Sequence, residues 1–109
     1  MVYKRTHMCG TLRSADIDKE VVLNGWIAKR RNLGGLIFCD LRDKTGIVQI
    51  VFDDTVPEEL HALADSLRSE YVVGVKGVVR ERQAKNAELP TGEIEVFVSE
   101  MILYSEADT

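Results

Sequence analysis

Along much of the chain apolar and polar residues alternate with a period of two, and over one stretch the period lengthens to that of a helix. In LIFCDL, Ile37, Cys39 and Leu41 share one face, while Leu36, Phe38 and Asp40 share the other. In IVQIVF, Val48, Ile50 and Phe52 alternate with Ile47, Gln49 and Val51. Taking the first set of each strand as core predicts Phe38 and Gln49 side by side on an outer face. The basic run Lys29-Arg30-Arg31 then lies beside them. A Gly34-Gly35 loop precedes this pair of strands, and a Lys44-Thr45-Gly46 turn joins them.

The preceding run EVVLNGWIAKRR also reads as a strand. Gly25 within it predicts a bulge or sharp bend at a barrel corner, and Trp26 a core or rim filler. After Asp53-Asp54-Thr55 the spacing of Val56, Leu60, Leu63, Ala64 and Leu67 predicts a helix plugging one open end of the barrel. Thr55 and Glu58 predict a capping box with Pro57 in the first turn, and His61, off the apolar stripe, a solvated surface position. From Tyr71 a strand resumes, with Gly74 and Gly77 at expected bends. The polar loop QAKNAELPTG follows, and then a strand with Ile94, Val96 and Val98 inward and Glu93 and Glu95 outward. Residues 1–19 predict a short extension, with a helical turn or loop packing Leu12 and Ile17 onto a barrel end.

Three strands, a helix and two strands predict an all-β domain with one helix. The architecture is a five-stranded Greek-key OB-fold barrel over residues 1–109, with the helix between strands three and four. An SH3-like barrel, the rival architecture, does not normally carry a full helix at that place.

Composition narrows the function. A net charge of −4 weighs against wholesale tracking of a polyanion. The positive charge is clustered at Lys29, Arg30 and Arg31 and again at Arg80, Arg82 and Lys85, which favours a local, base-directed site. Cys9 and Cys39 lack metal spacing, so reduced thiols in a cytoplasmic protein are expected. The first ten residues carry no signal-peptide pattern, and no apolar run has the length of a membrane span.

No catalytic constellation is readable. The histidines are isolated, Asp40 and Asp43 fall on opposite faces, and Gly34-Gly35 precedes a strand rather than the helix that a phosphate loop uses. This chain alone is therefore predicted to be non-catalytic. Ligands of OB barrels lie across strands two and three, between the loops joining strands one to two and four to five. Arg30, Arg31, Asn32, Gly34 and Gly35 border the first loop, Phe38 and Gln49 occupy the face, and Arg80, Arg82, Lys85, Asn86, Glu93 and Glu95 border the second. A ring for stacking, an amide that donates and accepts, and guanidinium and carboxylate groups for base edges suit single-stranded RNA. A general single-strand DNA binder and a protein- or sugar-binding barrel are the competing classes.

The runs LNGWIAKRRNLGGLIFCDLRDKTGIVQIVF, VVGVKGVVRERQAKN and TGEIEV, with the opening THMCGTLRSADIDKEV, resemble the N-terminal anticodon-binding domain of bacterial aspartyl-tRNA synthetases. The shorter G-W-x-x-x-R-R core is also similar to the asparaginyl and lysyl enzymes. The resemblance implies that Phe38 stacks on a middle uracil, with Arg31 and Gln49 hydrogen-bonding it. It implies Arg80, Arg82 and Asn86 near a third-base cytosine, and Glu95 near a first-base guanine. Lys29, Arg30, Asn32, Leu33, Gly34 and Glu93 are possible further RNA contacts, and Leu33 resembles the form that discriminates against asparagine tRNA. The implied partner is aspartate tRNA and the implied parent a homodimer. Neither DNA nor a membrane is expected as a partner. A catalytic domain using ATP and Mg2+ would begin beyond Thr109, and no cofactor is expected in this stretch.

Overall fold

A computed structural model describes residues 2–106; Met1 and residues 107–109 lie outside it. The strands are β1 (Glu20–Leu33), β2 (Leu36–Asp43), β3 (Gly46–Phe52), β4 (Val72–Glu81) and β5 (Ile94–Ser105), with one helix, α1 (Glu58–Asp65), between β3 and β4. They close into a barrel in the order β1-β2-β3-β5-β4. All pairings are antiparallel except β3 with β5, where Ile50 faces Val96 and Val51 faces Phe97. This is the predicted five-stranded OB-type barrel with its helix between strands three and four.

Side-chain parity holds on the inner surface. Ile37, Cys39, Leu41, Val48, Ile50, Phe52, Ile94, Val96 and Val98 all join one buried core. Outside, Val51 keeps its predicted face yet is 3% exposed. Its register partners are Phe38 on β2 and Phe97 on β5, and two phenyl rings flank it.

Several local expectations are corrected. The irregularity in β1 falls between Ile27 and Lys29, not at Gly25. Gly25 instead permits close strand approach, because a Cβ there would sit 2.4 Å from the Arg42 carbonyl oxygen. Of the two places expected for Trp26, core or rim, the core is excluded: it stands half-buried on the outer-parity face opposite Arg42. The β4–β5 ladder shifts register beside Gly77 and again between Val72 and Val73, and in both places the extra residue, Ser99 or Tyr104, belongs to β5 rather than β4.

At α1 no capping box forms. Thr55 donates its backbone N–H to Asp53 Oδ1 and its hydroxyl bonds the same carboxylate, so Asp53 closes its own turn and Pro57 takes the N-cap position. Ala64 and Leu67 are fully buried and Leu60 packs against the core.

The N-terminal segment folds into two 3-10 turns, Cys9–Thr11 and Ser14–Asp16. Leu12 is fully buried and Ile17 packs on the core. The segment is anchored on the β2–β3 turn, where Cys9 N–H donates to Asp43 Oδ2 at 2.7 Å and Gly10 N–H to Thr45 Oγ1 at 2.8 Å. Both cysteines are free and buried, and burial pushes the Cys39 thiol up to about 12. No helix among the described residues is long and apolar enough to cross a membrane.

Candidate nucleic-acid interface

Strand pairing assembles the candidate site on the outer surface of β1, β2, β3 and β5. Residues directly opposite in a ladder share a face, so Arg31 meets Phe38, Phe38 meets Val51, and Asp40 meets Gln49. The Arg31 guanidinium lies 5.4 Å from the Phe38 ring centroid, within cation–π range. Arg31 Nη2 donates to Gln49 Oε1 at 3.2 Å, and Gln49 Nε2 donates to Glu95 Oε1 at 2.7 Å. A cleft of about 210 Å3 is lined by Arg31, Leu33, Phe38, Gln49, Arg82 and Glu95.

Phe38 is half-buried in this cleft, and Leu33 at its mouth is exposed. Gln49 and Glu95 occupy the outward parity predicted for them, but only 6% and 7% of their surfaces reach solvent. Burial pushes the Glu95 carboxyl above its usual range, opposed by the Gln49 hydrogen bond and the Arg82 charge. Arg82 Nε is buried with no hydrogen-bond partner among the described residues. A buried, unpaired donor lining a cleft is suited to a ligand acceptor.

The other predicted residues lie elsewhere. Arg80 faces Glu95 in the ladder, but its Nη1 pairs with Asp18 Oδ1 at 2.8 Å, which leaves it outside the cleft. Asn86 and Glu93 line a neighbouring cleft of about 460 Å3 together with Arg13 and Lys85. Asn86 Oδ1 accepts the Glu88 N–H, and Lys85 Nζ pairs with Glu81 Oε2 at 2.9 Å. Lys29 is exposed, opposite Asp40.

Arg30 and Asn32 turn toward the helix. Arg30 donates to Asp65 Oδ1 and to the Leu67 carbonyl, and Asn32 Nδ2 donates to Asp65 Oδ1 at 2.9 Å. Asn32 Oδ1 also accepts the Gly35 N–H. Gly34 and Gly35 have φ of 64° and 97°, conformations that favour glycine, so the loop turns tightly and exposes Leu33. His61 lies at the surface as expected but is not without a partner: its Nε2 lies 2.7 Å from the Gly35 carbonyl oxygen. The missed signal was the i,i+4 spacing of His61 and Asp65, which puts both on one helix face toward the loop. Gln83 also lines the cleft and was not singled out, although it directly follows Arg82 in the chain.

Two chemistries find no support in this geometry. Among the described residues no group of three or more His, Cys, Asp and Glu stands ready to hold a metal ion. The Gly34-Gly35 turn leads into β2 rather than into a helix of its own, unlike a phosphate-binding loop.

Comparison with known proteins agrees with the barrel. Residues 21–104 match the tRNA anticodon family, described as an OB-fold nucleic acid binding domain. The chain is 51% identical over 106 residues to an aspartate–tRNA(Asp/Asn) ligase of Anaeromyxobacter dehalogenans, covering 96% of this chain and 18% of that protein. It is 54% identical over 99 residues to an aspartate–tRNA ligase of Exiguobacterium sibiricum, covering 91% of this chain and 17% of that protein. Among solved structures, an asparaginyl-tRNA synthetase from Pyrococcus horikoshii superposes with a TM-score of 0.80 at 32% identity, over 94% of this chain and 23% of that one. The chain thus spans under a fifth of the length of these aspartate ligases.

Proposed function

The chain belongs to the tRNA anticodon family of OB-fold nucleic acid binding domains, and on that premise we propose that it reads the GUC-type anticodon of aspartate tRNA. The observation that carries this reading is the gathering of Phe38, Arg31, Gln49, Arg82 and Glu95 around one cleft on the sheet face. An unpaired base entering there stacks on the Phe38 ring, an interaction worth about 1–3 kcal/mol. A middle uracil then meets Arg31, which donates, and Gln49, which both donates and accepts. The third base, cytosine, lies toward Arg82 and Asn86, with Arg80 reached when it leaves Asp18. The first base, guanine, offers paired donors to the Glu95 carboxylate. Two adjacent clefts suit successive splayed nucleotides better than a single continuous groove.

In a whole aspartate–tRNA ligase such a domain selects the tRNA and orients it. Aspartate activation with ATP and Mg2+ and transfer to the tRNA then belong to the rest of a homodimeric, cytoplasmic enzyme. No step of that chemistry involves the residues described here. A titration of this chain with a GUC-loop RNA hairpin and with oligo-dT tests the reading. Clear preference for the hairpin is expected. Equal affinity makes the barrel a general single-strand binder, and no binding at low salt removes nucleic acid as the ligand.

A further inference from the structure

Gln49 and Glu95 are among the few polar residues buried in this barrel, and they bond each other. A carboxamide offers two acceptor positions on Oε1 and two donor hydrogens on Nε2. In Gln49 one acceptor position takes Arg31 Nη2 at 3.2 Å, and one hydrogen goes to Glu95 Oε1 at 2.7 Å. Half a turn of the amide would set Oε1 against the carboxylate and the NH2 group against the guanidinium. Both contacts would become repulsive. The amide therefore has a single favourable orientation, fixed from both sides.

That orientation defines what a base meets. An unengaged Arg31 N–H, the remaining Oε1 acceptor position and the remaining Nε2 hydrogen form a donor–acceptor–donor row. Uracil presents the complement, with O2 accepting, N3–H donating and O4 accepting. Cytosine presents acceptor, acceptor and donor, and so fails at N3 and at its amino group. Reversing the amide would exchange these preferences.

We infer that Glu95 is a positioning residue: its carboxylate holds the Gln49 carboxamide in the orientation that pairs with a middle uracil, so discrimination at that base passes through Glu95. The inference rests on the reading of Arg31, Phe38 and Gln49 as the seat of the middle base, and it adds to the first-base role proposed for Glu95. It also couples the two positions, because the carboxylate proposed to meet the first base orients the amide that reads the second.

Two measurements test it, the first needing no RNA. In the free 109-residue chain, the two Nε2 hydrogens of Gln49 should give widely separated amide resonances, the Glu95-bonded one shifted downfield. In E95Q, a near-isosteric variant that removes a buried charge, that separation should shrink while the backbone spectrum stays dispersed. The second is the affinity ratio for hairpins with uracil or cytosine at the middle position. E95Q should lower the ratio about tenfold, roughly the value of one lost polar pairing. In a Q49M background the same change should leave it unaltered. An unaltered ratio in E95Q, or an equal fall in the Q49M background, overturns the positioning role and leaves the anticodon reading intact. A wild-type chain that binds the hairpin without preferring uracil overturns both.

Discussion

The two halves of the candidate site are built differently. On the strand side, Arg31, Phe38, Gln49 and Glu95 sit at fixed ladder positions and are tied to one another. On the loop side, Arg80, Lys85 and Asn86 are each committed to a neighbour outside the cleft, namely Asp18, Glu81 and the Glu88 amide. A group held on a rigid strand by charged partners is pre-organised for one base edge, and little ordering remains to be done on binding. A group that must leave an exposed ion pair adds little net energy. The contrast predicts that selectivity resides in the strands and that the loop contributes mainly general affinity.

Phe38→Ala should break the comparison most severely, costing about 1–3 kcal/mol of hairpin affinity with the fold intact by circular dichroism. Unchanged affinity would remove stacking from the account. Gln49→Met, similar in length but without donor or acceptor, should cost roughly 1–2 kcal/mol, and chiefly when the middle base is uracil. It is cleaner than Gln49→Glu, which would place a second carboxylate against Glu95. Equal weakening for every middle base would show that Gln49 only fills space.

A framework change should leave selectivity alone. Burial acts to raise the Asp43 carboxyl, but hydrogen bonds from the Thr45 hydroxyl and from the Cys9 and Thr45 backbone N–H groups outweigh it and hold it below the usual aspartate range. A depressed carboxylate contributes stability that is present above its ordinary value and lost as pH falls through the folded one. Asp43→Asn should therefore cost about 1 kcal/mol at neutral pH in denaturant titrations. The deficit should vanish at the acid end, and the order of base preference should not change. The smallest effect is expected for Lys85→Ala, a uniform loss below about 1 kcal/mol that shrinks as salt is added. A base-specific loss there would erase the distinction between the two halves.

The strand half was legible because a single rule, alternation, places Phe38 and Gln49 on the same face, and the paired strands preserve it. What alternation cannot convey is the covering of that face. Gln49 meets Glu95 across 46 residues, through the parallel β3–β5 contact that closes the barrel. The diversion of Arg80 by Asp18 spans 62 residues, and the His61 contact to Gly35 joins helix to loop. The capping box failed for a local reason: Asp53, two residues before Thr55, offered its hydroxyl and amide a nearer acceptor.

The most direct measurement is a binding titration of this chain against hairpins in which each anticodon position is varied singly. The account predicts the steepest loss when the middle uracil is replaced, with cytosine among the poorest substitutes, because the fixed Arg31–Gln49 row opposes it. A flat response across the middle position, with the hairpin still bound, would contradict the claim that this cluster reads a base.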